Sequence, residues 1–192
     1  MWLIAQRRPV LAAGITALVL AAAATRAFGE QAWGEWWAVT ATVQAAMADG
    51  AVSFAKLQSL FAALRLVGVP TGAAYAAQLA LAGVVAAVLV RLAWRRGFTA
   101  EVGAAMLAGT VLVTPFVLDY DLVVLAYPIA LLARPQPLPW ERSAAALAFI
   151  TPAVGRSLAL LTGITVMVPV AIGLFAVLAR RADLANGGRS KD

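Results

Sequence analysis

The sequence predicts an all-α protein: a polytopic bundle of about six membrane-spanning helices, with amphipathic helices lying along the membrane in the first outer loop. Three observations lead there. Apolar side chains make up 63% of the 192 residues and charged ones only 12%, where soluble domains carry about a quarter. Apolar runs recur at about 9–28, 71–93, 98–118, 121–134, 143–159 and 163–179, most of them close to the length that crosses a bilayer. The basic residues punctuate these runs instead of gathering into a patch, which argues against a nucleic-acid partner despite the net charge of +6.

The first run follows Arg7 and Arg8. That pattern fits a signal peptide as well as a span. The run from Pro9 to Ala24 is long and no clear small-residue cleavage site follows it, so we read an uncleaved first span. Residues 29–70 form the outer loop. Trp33, Trp36 and Trp37 suit a membrane–water interface. Asp49-Gly50 breaks the segment, and Leu57, Leu60, Phe61 and Leu64 then recur at helical spacing, with Lys56, Ser59 and Arg65 off the stripe. Two helices along the outer leaflet follow from this pattern; a loop packed on the bundle is the alternative.

The third and fourth runs are continuous except for Asp119-Tyr120-Asp121, and a Leu161-Thr162-Gly163 turn separates the fifth and sixth. Pro128, Pro152 and Pro169 fall within apolar runs, where neighbouring helices must satisfy the freed backbone groups. Kinked, packed helices are expected. Residues 1–182 read as one integral membrane domain, and 183–192 as a polar cytoplasmic tail. With the N-terminus inside, Arg7, Arg8, Arg91, Arg95, Arg96, Arg134, Arg142, Arg180, Arg181, Arg189 and Lys191 lie in the cytoplasm, eleven of the fifteen basic residues. Only Lys56 and Arg65 lie in outer loops. This bias places both termini in the cytoplasm.

The chain has no Cys and no His, so thiolate and imidazole chemistry are excluded, and the sequence points to no metal and no cofactor. Asp119 and Asp121 are the conspicuous polar residues. If Arg134 marks the inner interface, residues 121–134 make a helix of roughly 20 Å against a hydrocarbon core of about 30 Å. Asp121 is then recessed below the outer surface, where a carboxylate costs about 2.5–3.5 kcal/mol. Asp121 precedes a helical run and could simply cap it. One cap does not need both residues, and an extended turn would aim both carboxylates into one cavity, with Tyr120 pointing elsewhere. Lys56, Arg65 and Arg156 are the cations able to partner them. For Lys56 and Arg65 the alternative is a solvated face or a lipid-phosphate contact; for Arg156 it is snorkelling.

The run "LVTPFVLDYDLVVLAYPIALL" resembles the late membrane segment of bacterial glycosyltransferase family 87, and "SFAKLQSLFAALRLVGVP" resembles the outer loop before it. Pro70 and "GAAYAAQLALAGVVAAVLV" continue the likeness, which covers most of residues 30–180. The resemblance implies a GT-C type enzyme of the bacterial inner membrane with an outward-facing site. Its donor would be a mannose-like hexose on a polyprenyl phosphate, and its acceptor a lipid-linked or envelope glycan. Cationic side chains would hold the phosphate, and an acidic residue would activate the acceptor hydroxyl. That carboxylate lies in the family's first outer loop, and no residue here matches it, so no catalytic base is carried over. Asp119, Tyr120, Asp121, Lys56, Arg65 and Arg156 stand as substrate-binding candidates. The resemblance is to the C-terminal half of such an enzyme, which implies an N-terminal half or partner subunit. A non-catalytic scaffold of envelope assembly and a small transporter using Asp119 or Asp121 are the competing classes; the lack of an inverted repeat weighs against the transporter.

Overall fold

In the computed structural model, which describes residues 2–134 and 140–184, the chain is all-α. Arg189, Lys191 and the tail beyond Leu184 lie outside the described residues. The described chain divides at Ala51 into two compact units.

The first unit holds α1 (Trp2–Phe28) and α2 (Gln31–Ala48). Gly29 separates them at φ 84°, a backbone angle that favours glycine. The indole Nε1 of Trp33 donates to Thr25 Oγ1 at 2.8 Å. Trp36 and Trp37 stand side by side with ring centroids 6.0 Å apart, both exposed. α2 ends where Asp49-Gly50 was expected to break the loop, and Gly50 has φ 90°.

The second unit packs α3 (Leu60–Leu66), α4 (Thr71–Arg96), α5 (Ala100–Val113), α6 (Ala126–Leu132), α7 (Glu141–Thr162) and α8 (Met167–Leu184). Two 3-10 segments, Phe54–Lys56 and Asp119–Leu125, precede α3 and α6. α5 is the central helix, in contact with α4, α6 and α8. Its small side chains Ala104, Ala105 and Ala108 are buried against Leu132, Leu174 and Leu178. Gly109 lets α4 approach: a Cβ there would sit 3.1 Å from both Val85 Cγ1 and Leu89 Cδ1.

By length and composition α4 and α7 are candidate membrane spans, and Gly14–Phe28 and Ala100–Val113 are shorter apolar helices. Only 17% of the most apolar window of α4 and 28% of that of α7 is buried within the protein. Apolar faces this bare, with Trp94, Phe149 and Leu161 all more than 70% exposed, belong in lipid and not in water. The protein is membrane-associated.

The boundaries refine the six runs. α4 and α7 fall where two spans were expected. The run 98–118 is helical only to Val113, because Pro115 biases Thr114 to an extended conformation (φ −81°, ψ 125°). The run 121–134 is no continuous α-helix. It is a 3-10 segment followed by a seven-residue helix, so the length arithmetic that recessed Asp121 assumed the wrong geometry. Pro128 and Pro169 do not kink helices. Each is the third residue of its helix, where a missing N–H costs nothing. Of the three, Pro152 alone lies in a helix interior. α8 runs about five residues beyond its expected end, to Leu184.

Charge sorts the two ends of this bundle. The C-terminal ends of α4 and α8, the N-terminal ends of α5 and α7 and the second residue after α6 carry Arg96–Asp183 (3.1 Å), Arg91–Asp183 (3.9 Å), Arg134–Glu101 (3.8 Å) and Arg181–Glu141 (2.5 Å). α3 and the 3-10 segments lie at the opposite end.

Candidate functional site

The end opposite the ion pairs is a seam between two non-helical stretches. Residues 114–118 leave α5 extended, and residues 57–59 approach α3 the same way. They meet in one antiparallel bridge, Leu57 with Leu118, and Gln58 N–H donates to Val117 O at 2.7 Å. Ser59 caps α3: its Oγ accepts from Ala62 N–H at 3.2 Å and donates to Pro115 O. Capping by serine is favoured because its oxygen satisfies an orphaned helix N–H.

Two buried glutamines hold the seam. Gln78 of α4, 2% exposed, accepts from Phe61 N–H at 3.0 Å. Its Nε2 donates to Leu112 O at 2.7 Å and to Val113 O at 3.1 Å. Those carbonyls belong to the last turn of α5, which lacks helical partners of its own. Gln58, 3% exposed, donates from Nε2 to Asp119 Oδ1 at 2.7 Å. Its Oε1 lies beside Gly155 of α7, 3.7 Å from where a Cβ would stand.

The two carboxylates therefore have different surroundings. Asp121 is exposed, and its Oδ2 accepts from Leu118 N–H at 2.9 Å while its own N–H donates to Leu118 O at 3.0 Å. This reciprocal pair starts the 3-10 segment, so the geometry of Asp121 is that of a cap. It acts from inside the segment, not from the residue before it. Asp119 is half-buried and tied to the stretch before α3 through Gln58. Residues 119–121 are helical, not an extended turn, so the two side chains diverge. Tyr120 points out, 72% exposed.

Phe54, Phe61, Tyr75 and Phe116 form a ring cluster beside the seam, with Phe61 4.4 Å from Tyr75 and 5.5 Å from Phe116. Arg65 lies over Phe54 at 5.2 Å, a cation–π geometry. It donates from a terminal nitrogen to Val69 O at 2.9 Å, and its Nε is buried without a hydrogen-bond partner among the described residues. Lys56 ends the first 3-10 segment, half-buried. Arg156 is exposed on α7, next to Gly155.

Leu57 and Phe61 are fully buried. Two members of the expected membrane-facing stripe thus pack inward, because Leu57 is drawn into the bridge and Phe61 into the ring cluster. The structure gathers the five candidates Lys56, Arg65, Asp119, Tyr120 and Asp121 on two stitched segments, with Arg156 on the helix against them. Among the described residues no ion pair joins these cations to these carboxylates, whereas Glu101, Glu141 and Asp183 at the other end are all paired. No group of three acidic side chains that could hold a metal occurs among the described residues. The sequence reading missed Gln58 and Gln78. Their signal was a lone amide within each apolar stretch, "FAKLQSLF" and "YAAQLALA".

The chain is similar to the sequence model of glycosyltransferase family 87 over residues 1–115. Lys56, Arg65 and both glutamines fall within the match; Asp119, Tyr120, Asp121 and Arg156 fall beyond it. The match begins earlier than the resemblance drawn from residues 30–180 and stops inside its late membrane segment. No curated protein and no solved structure matches the chain.

Proposed function

We infer that this chain, which belongs to glycosyltransferase family 87, contributes the carrier-binding end of a membrane hexosyltransferase. The family is of the GT-C type and uses polyprenyl-phosphate donors. The hexose is mannose-like, the acceptor is a lipid-linked or envelope glycan, and transfer takes place on the outer face of the bacterial inner membrane. Both termini are cytoplasmic. The chain corresponds to the C-terminal part of such an enzyme and works with an N-terminal half or partner subunit that supplies the general base.

The observation that carries this reading is the contrast between the two bundle ends. At one end every described carboxylate is ion-paired with an arginine, the arginines being in excess. At the other, Lys56, Arg65 and Arg156 have no acidic partner among the described residues. Unpaired cations beside an apolar ring cluster suit a phosphate carried on an isoprenoid chain, since charge-assisted bonds to phosphate are among the stronger hydrogen bonds. Asp119 is held by the neutral amide of Gln58. A carboxylate so held can accept hydrogen bonds from sugar hydroxyls. Asp121 and Tyr120 line the approach.

The test is photo-crosslinking of the full chain, in native membranes, with a polyprenyl-phosphate analogue. Labelling should fall on residues 53–66, be displaced by polyprenyl phosphate, and drop severalfold in Lys56→Gln/Arg65→Gln. Transfer of labelled mannose in the same membranes should be lost in Asp119→Asn. Undisplaceable labelling, or labelling unchanged in the double variant, would overturn the reading in favour of a scaffold.

A further inference from the structure

At the ion-paired end, a cleft of about 290 Å³ opens between the C-terminal halves of α4 and α8. Its floor is apolar, with Val88, Leu92 and Leu184, and its rim carries Arg91, Arg180 and Asp183. Arginines towards the C-terminal end of a helix are favoured by the helix dipole alone, so their presence does not make a site. Two further facts do. Asp183 is already engaged by Arg96 at 3.1 Å, and Arg91 reaches it only at 3.9 Å while remaining 58% exposed. Arg180 is exposed and has no ion pair among the described residues. The rim of an apolar slot thus holds one loosely paired and one unpaired guanidinium.

The charge around it is in surplus. Arg91, Arg95, Arg96, Arg134, Arg142, Arg180 and Arg181 stand at this end against Glu101, Glu141 and Asp183. Among the described residues no carboxylate at this end is left to neutralise an added anion's partners, because all three are in ion pairs.

We propose that the cleft between α4 and α8 binds the headgroup of an anionic phospholipid. The phosphate sits between Arg91 and Arg180, and an acyl chain lies along Val88 and Leu92. The shape and the charge both point to this occupant. The lining sets cationic Arg91 and Arg180 beside apolar Val88, which lies about one turn deeper along α4, as a phospholipid joins headgroup to tail, and basic pockets between membrane helices are known to take anionic headgroups. A guanidinium matches a phosphate in two-point geometry. The site lies at the other end of the bundle from the proposed carrier-binding seam and is independent of it. It requires only that this end of α4 and α8 meet the membrane surface.

Native mass spectrometry of the full chain in nonionic detergent tests it, with phosphatidylglycerol and phosphatidylcholine as probes. Phosphatidylglycerol should be retained roughly tenfold more tightly, and Arg91→Gln/Arg180→Gln should abolish that preference. Arg95→Gln/Arg142→Gln removes the same charge outside the cleft and should preserve it. Equal retention of the two lipids by the wild type would overturn the proposal. So would an unchanged preference in the cleft variant or an equal loss in the control variant. Inorganic phosphate displacing the lipid as well as phosphatidylglycerol itself does would assign the site to a soluble anion and overturn it too. If the double variant does not fold, Arg180→Gln alone must lower the preference severalfold.

Discussion

Gln58 donates its side-chain amide to Asp119 across 61 residues of sequence, at 2.7 Å. That bond joins the stretch before α3 to the stretch after α5, and it gives Asp119 a neutral partner instead of a cation. Gln58→Leu should remove the amide donor to Asp119 and cost about 1–3 kcal/mol. Thermal unfolding in detergent measures it. Asp119→Asn keeps an oxygen for Gln58 and should unfold close to the wild type.

Asp121 gives a different expectation. Its bond to Leu118 N–H is a cap, so Asp121→Ala should lose about 1 kcal/mol, and Asp121→Asn much less. Sugar transfer by Asp121→Asn should stay near wild type. A transfer-dead Asp121→Asn that unfolds normally would show that the carboxylate does more than cap.

Gln78 satisfies three backbone groups, Phe61 N–H, Leu112 O and Val113 O. Gln78→Leu should be the most destabilising polar substitution at this end, by roughly 3 kcal/mol or more, because each stranded buried group carries a desolvation penalty. Proteolysis near residues 113–118 should rise with it. Unfolding like the wild type would show that the bonds are not formed in the membrane.

Gly109 sets the spacing of α4 and α5. Gly109→Val should overpack against Val85 and Leu89 and cost about 1–3 kcal/mol. Gly109→Ala should be milder, since the atoms 3.1 Å away are ends of side chains that can shift. Equal stability of the valine variant and the wild type would mean that the helices separate freely.

Orientation follows from the distribution of Arg and Lys. Reporters fused after Asp192 or near Arg96 should read as cytoplasmic, and one near Asp49 as outward-facing. Opposite signals at Arg96 and Asp49 would reverse the proposed faces, and the anionic-lipid cleft would then open on the outer leaflet.

Much of this could be read along the chain. Apolar runs of span length gave α4 and α7, because crossing a bilayer demands length and hydropathy, and both are local properties. Trp33 to Trp37 and Asp49-Gly50 gave the position and end of α2 for the same reason. The run 98–118 overshot the end of α5, because hydropathy continues past Pro115 while the backbone before a proline leaves the helix. What could not be read was which groups meet. Asp119 and Asp121 look alike in sequence, two residues apart. Only the fold makes one a partner of Gln58 and the other a cap. The fourth run is apolar enough for a helix, yet hydropathy says nothing about 3-10 geometry. Leu57 and Phe61 carried the right spacing for a membrane-facing stripe, but pairing with Leu118 and stacking with Tyr75 and Phe116 turned them inward. Hydropathy and charge are summed residue by residue and are visible in one dimension. Hydrogen bonds across the chain depend on approach in three, and that was decided by the packing of α4, α5 and α7 around the seam.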